Sequence, residues 1–188
     1  MNLRPKPLLA VAMFALAVVA TPALSQDAGW FIGGTAGVAD AKQGCTTLGI
    51  PGPGCDDTST GWRAFGGYRF NPYFGYEIGY ADLGKVTQGP ITFESTAIDV
   101  VLFVSIPLGQ DFSFFVKGGV TRWDLDVKGG GATASADGSD TTYGFGAHYN
   151  FTKNFALRLE WQRYNDIGDS TTGQTHIEVT SVGLVLKF

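Results

Sequence analysis

Acidic and basic residues recur along this sequence at positions from which they could neutralise one another. Each lies where bulky apolar residues alternate with small or polar ones, on the side opposite the bulky set. The set comprises Arg63, Arg69, Glu77, Asp99, Lys117, Arg158, Glu160 and Lys187. If this side faces a narrow protein interior, unpaired charges there would carry a large desolvation cost. The sequence therefore predicts a network of salt bridges and hydrogen bonds, with the three acids between the bases, in preference to unpaired charges lining small water pockets.

Nucleophilic catalysis would require a nucleophile, a general base and an orienting carboxylate that converge on one face. His176 and Glu178 share one face of a segment near the end of the chain, but Ser181 falls on the opposite face. His148 falls on the same side as the charged set, where we expect it to form hydrogen bonds. The sequence thus predicts no catalytic residues, no cofactor and no enzyme.

Two cysteines, Cys45 and Cys55, flank the segment TTLGIPGPG. In an exported chain, this spacing predicts one disulfide that closes a surface loop, and two unpaired thiols are the alternative. Zinc is disfavoured because no His or further Cys lies nearby. No spacing of acidic residues matches a calcium loop, so we predict no metal site.

A glycine-rich run, KGGGATASADGSD from Lys128 to Asp140, contains three consecutive glycines. It lacks the strand-to-helix context and the lysine position of a phosphate-binding loop. We therefore predict a flexible, exposed loop over this run.

The N-terminus has the three parts of a secretory signal peptide. These are the basic residues Arg4 and Lys6, the apolar run from Leu8 to Ala20, and the small residues Ala23 and Ser25. A membrane helix would need about 20 apolar residues, so we predict a signal peptide over residues 1–25. Its removal changes the formal charge from −4 to −6, and an acidic chain without a basic stripe argues against binding to nucleic acid.

Eight segments of alternating residues follow and predict eight strands. In order they read GWFIGGTAGV, GWRAFGGYRF, YFGYEIGYADL, STAIDVVLFVSI, FSFFVKGGVTRWDL, TTYGFGAHYNF, NFALRLEWQRY and IEVTSVGLVLKF. Each approaches the roughly 9–11 residues with which a tilted strand crosses a bilayer. Tight turns follow strands 2, 4 and 6, whereas the connections near 39–60, 84–93, 127–140 and 166–175 are long. Such segregation is typical of an all-β, eight-stranded, antiparallel transmembrane up-and-down β-barrel.

The bulky face of each strand is predicted to meet lipid. In strand 7, Phe155, Leu157 and Leu159 alternate with Ala156, Arg158 and Glu160. The polar set contains many small residues, which suits the interior of an eight-stranded barrel because that interior barely holds side chains. A basic side chain facing lipid near the midplane would cost about 2–4 kcal/mol. The charged set must therefore point inward.

Aromatic residues cluster at the strand ends, as expected for rings at a membrane interface. The cluster next to the tight turns comprises Trp30, Tyr68, Phe70, Phe74, Phe112, Phe114, Tyr149, Phe151, Phe155 and Phe188. A thinner group at the opposite ends comprises Trp62, Tyr80, Tyr143 and Trp161. We expect two aromatic girdles, with strand 8 pairing against strand 1 around Trp30 to Val38 to close the barrel.

The segment FGGYRFNPYFGYEIGYADLGK, from Phe65 to Lys85, resembles the second strand, Asn-Pro turn and third strand of the OmpA-like outer-membrane barrels and related small porin-family barrels. The resemblance covers the region after the signal peptide, and it implies a barrel domain over 26–188. The C-terminal strand is similar to the signal by which the barrel-assembly machinery recognises its clients, with Phe188 as its terminal aromatic residue. Full-length OmpA proteins continue into a domain that binds peptidoglycan, so wall anchoring is not carried over to this chain.

The resemblance implies a monomer in the outer membrane of a Gram-negative cell, with both termini in the periplasm. Its expected partners are membrane lipids, lipopolysaccharide, and the export and barrel-assembly machineries, with extracellular ligands possible through the loops. We expect a structural and surface-interaction role, with a lumen plugged by the charge network and at most a narrow pore. Two alternatives are an OmpW-like small-solute channel, for which Phe103, Val101, Phe115 and Trp123 are the inward apolar candidates, and a barrel enzyme that modifies lipid A.

Overall fold

The computed structural model of this protein describes residues 28–42, 58–88, 91–129, 132–168 and 175–188. The predicted signal peptide, Cys45 and Cys55 lie outside the described residues. The strands are β1 (Gly29–Lys42), β2 (Thr58–Asn71), β3 (Phe74–Gln88), β4 (Ile91–Leu108), β5 (Phe112–Gly129), β6 (Ala132–Asn150), β7 (Phe155–Ile167) and β8 (Thr175–Lys187). A helix with the length and hydropathy of a membrane span does not occur within these ranges.

The eight strands form one closed antiparallel barrel in which each strand pairs with its neighbours in sequence. The sheet closes between β1 and β8, where Phe31 pairs with Lys187 and Val38 pairs with Thr180. Beyond this ladder the amide of Phe188 donates a hydrogen bond to the carbonyl of Trp30 at 2.9 Å. The predicted strand count, fold class and pairing of the first strand with the last are confirmed.

Three short turns lie at one end of the barrel, which we call the turn end; the opposite end is the loop end. In the turn after β2, the Asn71 side-chain oxygen accepts hydrogen bonds from the amides of Tyr73 and Phe74, at 2.8 and 2.9 Å. Gly109 begins the turn after β4 with a φ of 77°, a conformation that glycine adopts without steric cost. These local bonds satisfy backbone groups where the strand ladders stop.

The strands extend further at the loop end than the sequence predicted. Strand β3 continues to Gln88 and β4 begins at Ile91, while β5 continues to Gly129 and β6 begins at Ala132. The prediction of a flexible loop over Lys128 to Asp140 is therefore wrong. Glycine, serine and aspartate disfavour strands, but pairing with a well-patterned β5 outweighs that preference. The adjacent ladder includes Leu125 opposite Ala136 and Val127 opposite Ala134.

The two faces of the barrel divide as predicted. An apolar belt covers the outside, and its exposed members include Ile78, Ile98, Val100, Leu102, Val104, Val116, Val120, Leu159, Val182 and Leu184. Exposed aromatic residues border this belt at both ends, with Trp30, Phe74, Phe112 and Phe155 at the turn end and Trp62, Tyr80 and Tyr143 at the loop end. Trp62 and Tyr80 are in ring contact, with centroids 5.7 Å apart. Polar and small residues share the interior with buried apolar side chains, among them Phe65, Phe103, Phe115 and Trp123.

An ionic cluster lies beyond the apolar belt, on the parts of β3, β4 and β5 that extend at the loop end. Glu94 Oε1 is 2.6 Å from Lys85 Nζ, and Glu94 Oε2 is 2.7 Å from Lys128 Nζ. Hydrogen bonds from Lys128 and then Lys85 lower the pKa of Glu94 from its ordinary value of 4.5 to about 2. The same contact with Glu94 raises the pKa of Lys128.

Candidate functional site

The side chains inside the barrel form three layers along its axis, and these layers together form the candidate site. We call them the charge layer in the middle, the loop-end cluster above it, and the turn-end cavity below it. The charge layer contains Arg63, Glu77, Asp99, Lys117, Arg158 and Glu160, all of which are buried. Alternation along each strand places these side chains inside, and neighbouring strands bring them to a common height.

Arg63 links the two acids on β3 and β4. Its Nε and Nη2 atoms donate to Asp99 at 2.9 and 2.5 Å, in a bidentate arrangement. Its Nη1 atom is 2.6 Å from Glu77 Oε1, an ion-pair contact without good hydrogen-bond alignment. Charge-assisted, forked contacts of this kind are the strongest that arginine makes.

Arg158 joins Glu77 to the acid on its own strand. Its Nη1 atom donates to Glu77 Oε2 at 2.7 Å. The same guanidinium contacts Glu160 Oε2 through both Nε and Nη2. The guanidinium also lies over the rings of Phe65 and Phe115, with its carbon 4.4 and 4.5 Å from the ring centroids. Arg158 is thus fixed by carboxylates at its edge and by aromatic rings on its faces.

Lys117 completes the charge layer. Its ammonium donates to Glu160 at 2.8 Å and to Gln162 at 2.7 Å, and it lies 3.5 Å from Glu77. Gln162 in turn donates to the hydroxyl of Thr142 at 2.9 Å. An ammonium has three protons, so these three oxygens provide one acceptor for each.

The charge layer is electrically balanced, because three bases face three acids. Two further side chains support it: Tyr164 donates from its hydroxyl to Asp99 at 3.2 Å, and Gln162 accepts from Lys117. Neither was predicted from the sequence, where a neutral polar residue of inward parity carries no sign of its partner. The one signal in the sequence that could have identified them is that both follow Glu160 on the inward face of β7.

Gly79, which has no side chain, leaves room for Arg63 in the charge layer. A Cβ atom built on Gly79 would lie 2.6 Å from the Cζ and Nε atoms of Arg63. That distance is far inside van der Waals contact, so only glycine permits the guanidinium to lie against β3 at this height.

The structure separates the eight predicted network residues into two groups. Arg69 and Lys187 lie below the charge layer and line the turn-end cavity. Lys187 Nζ donates to Asn150 Oδ1 at 2.5 Å, and the Arg69 guanidinium lies over the ring of Phe103, 5.6 Å from its centroid. The alternation of the strands assigned both residues to the interior, but it could not assign their height along the barrel.

The loop-end cluster is apolar and lies above the charge layer. Its buried members are Ala39, Ala81, Leu83, Ala97, Trp123, Tyr164, Ile167 and Ile177. A small void of about 10 Å³ lies between residues of this cluster, such as Leu83, and residues of the charge layer, such as Glu160; this volume is close to the minimum that holds one water molecule.

The turn-end cavity is larger, at about 270 Å³. Its lining includes Phe31, Arg69, Phe103, Phe115, His148 and Lys187, and the paired Glu77 and Arg158 form its floor. His148 stacks on Phe115 with ring centroids 4.7 Å apart. This cavity opens toward the turn end, where Phe188 and Lys153 lie at its mouth.

The candidate catalytic residues do not converge. Glu178 lies 3.6 Å from Arg163 as an ion pair, and Ser181 is buried on the opposite face of β8. His148 lies at the turn end of the lumen. In the described ranges, no three His, Asp or Glu side chains come together in a way that could hold a metal ion.

The four inward apolar residues considered for solute transport do not form one surface. Phe103 packs with Phe31 and Phe65 toward the turn end. Phe115 lines the turn-end cavity, whereas Trp123 belongs to the loop-end cluster. Phe103 and Phe115 thus lie on one side of the charge layer and Trp123 lies on the other.

Comparison with known proteins gives a consistent family. A family model described as the OmpA-like transmembrane domain matches residues 25–188. Outer membrane protein A of Yersinia pseudotuberculosis is 34% identical over 192 residues, which cover 96% of this chain and 54% of that protein. Outer membrane protein A of Klebsiella aerogenes is 30% identical, with the same coverage. This chain spans about half the length of the curated relatives that it matches.

Solved structures share the fold at low sequence identity. The crystal structure of Neisserial surface protein A matches with a TM-score of 0.66 and 19% identity, over 86% of this chain and 99% of that one. The attachment invasion locus protein Ail of Yersinia pestis, solved in complex with the heparin analogue sucrose octasulfate, matches with a TM-score of 0.56 and 14% identity, over 86% and 98%.

Proposed function

Because this chain belongs to the family of OmpA-like transmembrane domains, we propose that it is a structural barrel of the Gram-negative outer membrane whose lumen is held closed. One observation carries this proposal: three buried bases and three buried acids neutralise one another across the middle of the lumen. Such a set is costly to separate, because each charge would lose its partner inside a poorly solvated interior. The loop-end cluster adds an apolar layer that excludes water above the charges.

The proposal includes an orientation and a set of partners. Residues 1–25 direct export and are removed, and residues 26–188 form the barrel as a monomer. The turn end faces the periplasm and the loop end faces the cell surface, as the girdles and the short turns favour. Phe188 provides the terminal aromatic residue that the barrel-assembly machinery reads, and the outer belt meets lipid and lipopolysaccharide. Cys45 and Cys55 form a disulfide within the first long connection.

The loop end supplies surface contacts in this proposal. The paired β5–β6 extension carries exposed polar residues, among them Asp124, Asp126, Ser135 and Asp137. Ail, which shares the fold, was solved in complex with a heparin analogue. The acidic extension of this chain would suit a cationic or neutral extracellular partner better than a sulfated polymer.

Single-channel recording in planar bilayers tests the closed lumen. We expect the wild type to show no large, steady openings, since the ion-paired charge layer and the loop-end cluster occupy the lumen. Replacing the central acid, Glu77→Gln, should increase the frequency of openings. Arg122→Gln, which alters an exposed ion pair with Asp137 at the loop end, serves as the control and should behave like the wild type. Porin-sized, steady conductance from the wild type would refute the proposal.

A separate measurement tests the absence of enzymatic activity. Lipid A from cells with and without this protein is compared by mass spectrometry, and we expect identical masses. A mass change that disappears in His176→Ala would instead identify the outward face of β8 as an active site.

A further inference from the structure

The outer part of β6 has a strand on one side only, within the residues that the structure describes. On the side of β5, β6 is paired from Ala132 to Asn150 without a register shift. On the side of β7, the ladder covers only Thr142 to Asn150. The stretch of β6 from Ala134 to Thr141 is therefore unpaired toward β7 among the described strands, and we call this open side the ribbon edge.

An irregularity in β7 accounts for the end of its ladder with β6. The last ladder pair is Thr142 with Tyr164. Two residues later, Asp166 has a left-handed backbone with a φ of 43°, and the register of β7 with β8 shifts between Tyr164 and Ile167. A bulge of this kind bends a strand and ends its pairing. The ribbon edge thus extends past the point where β7 accompanies β6.

Alternate backbone groups of the ribbon edge point away from β5. The amide of Asn150 donates to the carbonyl of Asp111 at 2.7 Å, in register with the ladder of β5 and β6. Because backbone donors alternate between the two sides of an antiparallel strand, the even-numbered residues of β6 bond to β5 and the odd-numbered ones face the ribbon edge. The amide of Thr141 is bonded to Asp140 Oδ1 at 2.6 Å. The next odd-numbered amides along the edge are those of Ser139, Asp137 and Ser135.

The ribbon edge lacks the usual protection against pairing with another strand. Natural edge strands are commonly interrupted by proline, lysine or a β-bulge. The sequence of the ribbon edge, ASADGSDT, contains no proline and no lysine, and its ladder with β5 has no register shift. Its outward amides and carbonyls therefore form a template to which an extended chain can add as one more strand.

The two faces next to the ribbon edge differ in chemistry. One face carries Ala136 and Gly138, and Ala136 pairs with Leu125 of β5 above the loop-end cluster. The other face carries Asp137, which is paired with Asp124 of β5, and both are exposed. Cross-strand neighbours on one face contact each other. An added strand would thus place every second side chain beside small apolar residues and the intervening side chains beside carboxylates.

The charge around the ribbon edge is negative. From Arg122 to Thr141 the sequence contains four aspartates and two basic residues. The two bases already have acidic partners, since Arg122 contacts Asp137 and Lys128 contacts Glu94. The sequence between β1 and β2, residues 43–57, and that between β7 and β8, residues 169–174, together contain three further aspartates and no lysine or arginine. The field at this edge consequently favours a cation.

We propose that the ribbon edge binds an extended cationic polypeptide segment, in which basic and apolar residues alternate, by strand addition. The backbone of the segment pairs with β6, its basic side chains lie beside Asp137 and Asp124, and its apolar side chains lie beside Ala136 and Gly138. A second copy of this chain is a poorer partner, because two ribbon edges would bring aspartates together. The inference deepens the proposed surface contacts and rests on the orientation that places the loop end at the cell surface.

NMR of the full chain in the non-ionic detergent dodecyl maltoside tests the proposal. The probe is a heptapeptide with blocked ends in which lysine and valine alternate, and the control peptide has glutamate in place of lysine. We expect the lysine peptide to bind saturably with a Kd of about 0.1 mM, and the glutamate peptide to bind at least about tenfold more weakly because like charges repel. The lysine peptide should also slow hydrogen exchange at the amides of Ser135, Asp137 and Ser139.

Proline variants separate strand addition from charge attraction. Ser135→Pro and Ser139→Pro each remove an edge amide without removing a donor of the ladder with β5, and proline is tolerated on a strand edge. Each should weaken binding of the lysine peptide about tenfold. Ser135→Ala loses the same hydroxyl but keeps the amide, so its affinity should equal that of the wild type. Continued slow exchange at Ala134 and Ala136 would show that the ribbon still forms in these variants.

Three results would overturn the proposal. Slow exchange at the three edge amides without peptide would show that the edge is already covered, by residues 169–174 if the protection is independent of protein concentration and by a second copy if it is not. Equal binding of the two peptides would exclude the charge preference, and unchanged affinity in both proline variants would exclude strand addition. If the proline variants do not fold, the exchange of the edge amides in the wild type with the lysine peptide decides the question.

Failure of the inference can be distinguished from failure of the proposed orientation. Binding in detergent is measured with both ends of the barrel accessible, so it depends only on the ribbon edge. Labelling of Ser135→Cys on intact cells by a membrane-impermeant maleimide tests separately whether this edge lies at the cell surface.

Discussion

Arg158 on β7 and Glu77 on β3 are 81 positions apart in sequence, and Arg158 Nη1 lies 2.7 Å from Glu77 Oε2 across the lumen. Glu77 also lies 2.6 Å from Arg63 and 3.5 Å from Lys117. Every base of the charge layer therefore meets at this one carboxylate. Loss of its charge would leave three buried cations to share Asp99 and Glu160.

Glu77→Gln should consequently destabilise the barrel strongly. The removal of one partner from a buried ionic set costs about 3–5 kcal/mol, because the remaining charges stay desolvated. Urea-induced unfolding in lipid vesicles, followed by tryptophan fluorescence, would measure the free energy of unfolding. Arg122→Gln at the exposed Arg122–Asp137 pair should change that free energy by less than about 1 kcal/mol. Equal effects of the two substitutions would show that the charge layer contributes little to stability.

Two glycines of the same barrel should respond differently to alanine. A Cβ on Gly75, which faces the lumen, would lie 2.5 Å from Phe103 Cζ and 2.6 Å from the carbonyl of Tyr68. A Cβ on Gly118, which faces outward, would meet its nearest atom at 3.9 Å. Gly75→Ala should therefore lower the free energy of unfolding by about 1–3 kcal/mol through overpacking. Gly118→Ala should leave it unchanged or raise it, and the reverse order would contradict this packing.

The Lys85–Glu94–Lys128 cluster should respond to acid. Because the pKa of Glu94 is lowered from 4.5 to about 2 in the folded chain, the ionised carboxylate stabilises the fold above about pH 4.5. That contribution is lost as the pH falls from 4.5 through about 2. A carbon-13 NMR titration of the Glu94 carboxyl group would measure its pKa directly.

Substitution of each lysine tests the cause of this shift. Lys128→Ala should move the pKa of Glu94 upward more than Lys85→Ala does, because the hydrogen bond from Lys128 has the larger effect. Arg122→Ala should leave the pKa of Glu94 in place. An unchanged pKa in Lys128→Ala would show that the contact at 2.7 Å does not persist in solution.

Phe188 and Phe155 provide a matched pair for testing the proposed assembly signal. Both are exposed aromatic residues at the turn end, so both contribute to the girdle. If the assembly machinery reads the terminal residue, Phe188→Ala should reduce the amount of folded barrel in outer membranes several-fold, and Phe155→Ala should not. Quantification of folded protein in membrane fractions would measure this. A similar decrease in both variants would assign the effect to the girdle alone.

The proposed orientation can be tested with single cysteines in a chain that carries Cys45→Ser and Cys55→Ser. Ser135, on the β6 extension, and Lys153, in the turn after β6, are both exposed. On intact cells, a membrane-impermeant maleimide should label Ser135→Cys and leave Lys153→Cys unlabelled. Permeabilisation of the outer membrane should expose the second site. Labelling of Lys153→Cys on intact cells would show that the orientation is the reverse of the one proposed.

Alternation was sufficient to predict the strands and their faces, because a period of two fixes which side chains share a side. It assigned Arg63, Glu77 and Arg158 to the interior without any knowledge of the fold. It could not predict which acid meets which base, because the height of each residue depends on the stagger between strands. For that reason Arg69 and Lys187 were grouped with residues that lie deeper in the lumen.

The extended β5–β6 ribbon shows a second limit. The composition of Lys128 to Asp140 indicated a loop, since glycine and aspartate disfavour strands. In the structure, Trp123 packs over Gly138, where a Cβ would lie 2.8 Å from ring atom Cε2. A glycine, which is typical of loops, is thus required in this strand because the Trp123 ring packs against it. Local sequence patterns do not report such contacts.

The pairing of β1 with β8 also constrains the order in which the barrel folds. The other strand pairs of the described barrel are hairpin neighbours, which can form early because little chain lies between them. At the seam, however, Phe31 meets Lys187 across nearly the whole chain, so this pairing carries the largest loop-closure entropy. Until it forms, two strand edges would remain unpaired in hydrocarbon, which is energetically prohibitive. Insertion into the membrane and closure of the seam must therefore proceed together, and the seam is where a folding catalyst would have the most to accelerate.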